Sequence, residues 1–84
     1  MPTALYTGPY RFYFYSYDCD ERRHMHIDRE NMSAKFWIDP DVSLATNYGF
    51  SRKELREIEK ITSESLEKLK YEWDKFCGGH SSTA

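Results

Sequence analysis

The sequence predicts an α+β fold: a small antiparallel sheet of four to five strands packed against one long C-terminal α-helix. Two patterns carry this. Apolar and polar residues alternate with a period of two through "HMHIDR" and "AKFWID", whereas from Leu55 to Phe76 the apolar positions recur with the 3.6-residue period of a helix. A third observation is their order: the strands come first and the helix last, the arrangement of a two-layer sandwich rather than of alternating βα units. The 84 residues form one domain, with strands over about 3–46, a helix over about 51–77 and a flexible tail at 78–84.

Taken in order, Thr3 to Tyr6 reads as a short strand, broken by Thr7-Gly8-Pro9 before the aromatic run "YRFYFYSY" from Tyr10 to Tyr17. In an extended chain Tyr10, Phe12 and Phe14 share one face and Arg11, Tyr13 and Tyr15 the other. "DCDERR", Asp18 to Arg23, is charged and aperiodic and reads as a loop leading into a strand at His24. On that strand His24, His26 and Asp28 face one way, Met25, Ile27 and Arg29 the other; after a turn at Glu30 to Ser33, Ala34, Phe36 and Ile38 alternate with Lys35, Trp37 and Asp39. Met25, Ile27, Phe36 and Ile38 are the expected core. Asp39-Pro40-Asp41 ends the strand, because proline has no N–H to donate. Val42 to Thr46 makes a short edge strand, and Asn47-Tyr48-Gly49 turns the chain toward the helix.

The helix opens on a capping box, Ser51 with Glu54, behind Phe50. Leu55, Ile58, Thr62, Leu66, Leu69, Trp73 and Phe76 form one stripe that keeps its phase through "TSES", so a single helix to about Phe76 is expected, stopped by Gly78 and Gly79.

Composition narrows the function. Aromatic residues make up 17% of the chain, enough for a core despite its shortness, while a net charge of −2 excludes binding to nucleic acid through bulk electrostatics and leaves only a local patch. No window approaches the apolar length of a membrane span. Two cysteines, Cys19 and Cys77, cannot build a disulfide-dense scaffold, and without a signal-peptide pattern they read as a loop thiol and a helix-end packing residue in a reducing cytoplasm.

His24 and His26 are the pair with the chemistry of an acid–base couple, one imidazole accepting a proton while the other donates. With Lys35, Arg56 or Arg11 to stabilise phosphate charge, and Tyr13, Tyr15 and Trp37 to stack bases, they would suit a small metal-independent ribonuclease. As metal ligands they fall short of the four side chains a structural zinc recruits; a third donor would be Asp28 or Cys19, and no metal or other cofactor is expected. Tyr13, Tyr15, Trp37, Trp73 and Phe76 form the expected protein interface, and Arg52, Lys53 and Arg56 at the helix start a secondary anion site.

The motifs "GPYRFYFYS", "HMHID", "AKFWIDP" and "NYGFSRKELREIEK", with the late Trp73 and Phe76, occur in an order that resembles the bacterial family called domain of unknown function 4160, over nearly the whole chain from Pro2 to about Phe76. Arg22-Arg23 departs from the Pro-Pro approach to the histidines frequent in that family. The resemblance implies a small bacterial protein, often encoded beside a partner in a toxin–antitoxin-like pair, and implies no catalytic residues. The expectation is a cytoplasmic interaction module that binds its neighbour-encoded protein or forms a homo-oligomer, with the His24/His26 ribonuclease-like toxin as its alternative.

Overall fold

The computed structural model describes the backbone of residues 3–81 and side chains as far as Cys77. Five strands, β1 (Thr3–Thr7), β2 (Tyr10–Tyr13), β3 (His24–Arg29), β4 (Met32–Trp37) and β5 (Ser43–Tyr48), form an antiparallel meander in the order of the chain. A short 3-10 helix, Ser16–Asp20, lies between β2 and β3; helices α1 (Arg52–Glu64) and α2 (Leu66–Ser81) complete the fold. This is the expected α+β sandwich.

The period-two pattern divides the two faces as the sequence implies. Tyr10, Phe12, Phe14, Met25, Ile27, Ala34, Phe36 and Ile38 are buried against Phe50, Ile58, Leu69 and Trp73 from the helical layer. Polar ties fix that layer: Arg29 donates to Glu54 at 3.1 Å, and Arg23 holds Asp74 with both carboxylate oxygens within 2.8 Å. Such half-exposed pairs contribute about 1 kcal/mol at most, so register is their main effect. Gly49, at φ 105, brings the backbone so close to β4 that a Cβ there would lie 2.9 Å from the Met32 side chain. The Ser51–Glu54 capping box then starts α1 as expected.

Four expectations are corrected. The single helix is interrupted at Ser65 (φ −105, ψ 15), although the Ser65 N–H still reaches Ile61 O and its carbonyl still accepts from Leu69 N, both at 2.9 Å. The cause lies in "TSES". The buried Thr62 hydroxyl donates to Ile58 O at 2.7 Å, a back-bond that bends helices. Second, α2 runs through Gly78 and Gly79 to Ser81, since glycine weakens a helix interior by about 1 kcal/mol without forbidding it. The part of the expected tail from 82 to 84 lies outside the described residues. Third, the aromatic run leaves the sheet at Tyr13, because the Asp18 carboxylate accepts from Tyr15 N at 2.8 Å and winds the following residues into the 3-10 turn. Fourth, Cys19 and Cys77 are not separate thiols: a disulfide joins them across 58 residues, with Cα atoms 5.6 Å apart. The argument from unpaired cysteines to a reducing compartment therefore falls away.

Tyr10 offers a test of the packing. It is 1% exposed, and its hydroxyl donates to Glu57 Oε1 at 2.6 Å. Burial first, then that bond, raises its pKa above 10. Folding thus favours the neutral phenol, so the contribution is intact below the unfolded-state value near 10 and is lost as pH rises through the higher folded-state value. Urea midpoints are expected to fall between about pH 9 and about pH 11, with Tyr10→Phe showing a shallower fall. Tyr13, raised in the same direction by burial and by its bonds to Tyr15 and Asp28, keeps the slope from vanishing.

Candidate functional site

The sheet face opposite the helices carries the polar residues of each strand. Residues directly opposite in an antiparallel pair point to the same side. The pairings Tyr6↔Arg11, Tyr13↔His26, His26↔Lys35, His24↔Trp37 and Ser33↔Tyr48 therefore assemble one surface from all five strands. Tyr6 is 71% exposed, Tyr48 67%, and Tyr17, from the 3-10 helix, 70%. Tyr17 stacks on Tyr15 at 5.1 Å, and Trp37 lies under both Arg22, at 4.1 Å, and Lys35, at 4.6 Å.

Beneath this surface the 3-10 helix delivers Asp18 onto the two histidines. Asp18 Oδ2 is 3.1 Å from His26 Nε2 and 3.3 Å from His24 Nε2, and the three donor atoms lie within 4.8 Å of one another. His24 and Asp18 are buried, with 0% and 3% exposure, while His26 is half-buried. Rings enclose the cluster: Tyr13 stacks on His26 at 5.4 Å, Tyr15 meets it edge-on at 5.1 Å, and Trp37 and Trp73 flank His24 at 5.6 and 5.2 Å. Burial by itself would raise the Asp18 carboxyl, but the Tyr15 N–H and the two imidazoles outweigh it and hold the carboxyl below its ordinary range. Burial also pulls His26 below the usual imidazole value, against the opposing attraction of Asp18.

The expected site residues are thus partly gathered and partly scattered. Lys35 stands beside His26, its ammonium bound to Glu21 at 3.0 Å. Arg56, Arg52 and Lys53 are exposed on α1, across the sheet from the histidines, so Arg56 cannot serve a reaction centred on them. Of the aromatic set, Tyr13 and Trp73 are buried within the chain, Tyr15 and Trp37 are partly exposed, and Phe76 is 48% exposed on α2. The acid–base reading meets a steric obstacle, because both imidazoles must reach the substrate and His24 is sealed. Asp18 is the residue the sequence reading missed. It had looked to Asp28, which instead accepts from the Tyr13 hydroxyl at 3.1 Å, and to Cys19, which is bonded to Cys77.

A cleft of about 490 Å³ opens beside the cluster, lined by Arg22, Arg23, Asp39, Trp73, Asp74 and the disulfide, and the two histidines do not line it. Asp20 and Glu21 also line it, so its four carboxylates outnumber its two guanidinium groups. No described helix is long and apolar enough to cross a membrane.

A family model described as a domain of unknown function, DUF4160, matches residues 10–74, which include the three residues of the cluster and the β2–β5 part of the tyrosine-bearing face. No curated protein and no solved structure matches the chain.

Proposed function

The chain belongs to the DUF4160 family, and from that premise we propose that it is a protein-interaction module, one component of a toxin–antitoxin-like pair, which binds the protein encoded by the neighbouring gene through its uncovered sheet face. The observation that carries this reading is the set of exposed tyrosines, Tyr6, Tyr17 and Tyr48, spread across that face around the Arg22/Trp37/Lys35 stack. Tyrosine, tryptophan and arginine are the residues that supply most binding energy in protein interfaces, because they give large rigid contact areas with a polar handle. The edge strand β5 extends the same surface with backbone groups open to a partner strand.

Sedimentation velocity of the chain alone and mixed with the neighbour-encoded protein tests the proposal. The expected result is a stable complex that weakens roughly thirtyfold when Tyr17→Ala and Tyr48→Ala are combined. A monomer that ignores its neighbour and does not self-associate contradicts it.

A further inference from the structure

We propose that Asp18, His24 and His26 form a binding site for a divalent first-row transition ion such as zinc. The key atom is His24 Nε2. It is fully buried and has no hydrogen-bond partner among the described residues. The opposite nitrogen, Nδ1, lies 2.7 Å from the Arg22 carbonyl, which can only accept, so Nδ1 carries the ring proton. In the neutral ring Nε2 then presents a lone pair into the cluster, 3.3 Å from a carboxylate oxygen and out of line for a hydrogen bond. Two lone pairs facing each other in a dry interior repel, so a positive charge belongs between them, either a proton on the His24 ring, as an ion pair with Asp18, or a metal cation that takes up all three donors at once.

Two of the three donor separations match an ion's coordination sphere. Metal–ligand bonds of about 2.0–2.2 Å place adjacent donors roughly 3.0–3.4 Å apart in octahedral or tetrahedral geometry. Asp18 Oδ2 stands 3.3 Å from one imidazole and 3.1 Å from the other, while the three donor atoms together spread to 4.8 Å, so binding an ion draws the two imidazoles inward by about half an ångström. The ion would displace the proton now shared between His26 Nε2 and Asp18 Oδ2. Supporting bonds of the kind that orient metal ligands are in place: His24 Nδ1–H to the Arg22 carbonyl, and Tyr15 N–H to the Asp18 carboxylate at 2.8 Å. Two imidazoles and one carboxylate suit zinc, iron(II), cobalt(II) or nickel(II) rather than calcium or magnesium. His26, the half-buried ligand, leaves a coordination position on the open-face side for water or for a donor from a bound protein.

The test uses the untagged full chain, oxidised so that no thiol competes and stripped with a chelator. Titrating zinc by calorimetry, and cobalt(II) by its visible absorption, is expected to show one site per chain. Zinc at about a hundred times its Kd raises Tm by roughly 10–20 °C. His26→Gln, at a half-buried position that tolerates exchange, weakens binding about tenfold or more while the circular dichroism spectrum is retained, and Asp18→Asn does the same. His80→Ala, which removes the one other histidine of the sequence, is the control and leaves binding unchanged. Absence of stoichiometric binding, or binding that survives His26→Gln and Asp18→Asn, overturns the proposal and leaves the cluster as a buried proton-bridged ion pair. Loss of binding in His80→Ala alone overturns it equally.

Discussion

Breaking the Cys19–Cys77 bond, by reduction or by Cys77→Ser, is expected to lower the unfolding free energy by about 4 kcal/mol. The bond closes a span of 58 residues, and the entropy that such a closure removes from the unfolded chain is of that size. Small domains are stable by only about 5–15 kcal/mol, so the loss is a large fraction of the total and corresponds to a fall in Tm of about 15 °C or more. The bond ties the 3-10 helix to α2, and with it gone Asp18 is held by its Tyr15 and His26 hydrogen bonds. Thiol titration of the denatured chain with calorimetry of the oxidised and reduced forms checks this. Two free thiols in protein isolated without reductant, or equal Tm values, contradict it.

Asp18→Ala is expected to cost about 3 kcal/mol or more. The carboxylate accepts from Tyr15 N and His26 and stands against His24, all in a nearly water-free setting. Removing it strands the Tyr15 N–H at the head of the 3-10 turn and the His26 Nε2, and an unsatisfied buried polar group costs about 1–3 kcal/mol. Asp18→Asn keeps one acceptor and is expected to lose less than half as much. Chemical denaturation of both variants decides it: equal, small losses would mean that the carboxylate is not buried among these partners.

Much of the fold was legible because its signals are local. Alternation in "HMHIDR" and "AKFWID" places Met25, Ile27, Phe36 and Ile38 in the core, and Ser51 with Glu54 marks the start of α1. The break at Ser65 was hidden by the intact phase of the apolar stripe; its signal was the density of hydroxyls in "TSES", where Thr62 turns back onto Ile58 O. The site was half legible. Period two put His24 and His26 on one face, but "DCDERR" has no periodicity, so its 3-10 turn, the inward aim of Asp18 and the pairing of Cys19 with Cys77 depend on contacts distant in sequence. Burial of His24 likewise comes from Trp73, which lies 49 positions further along the chain.

The most direct test of the central claim, that the face bearing Tyr6, Tyr17 and Tyr48 is the contact surface, is tyrosine footprinting of the chain with and without its neighbour-encoded protein. Tyr71, 61% exposed on α2, serves as an internal control. The account predicts protection of Tyr6, Tyr17 and Tyr48 in the complex and unchanged modification of Tyr71. Protection of Tyr71 with Tyr6, Tyr17 and Tyr48 still fully reactive would contradict it.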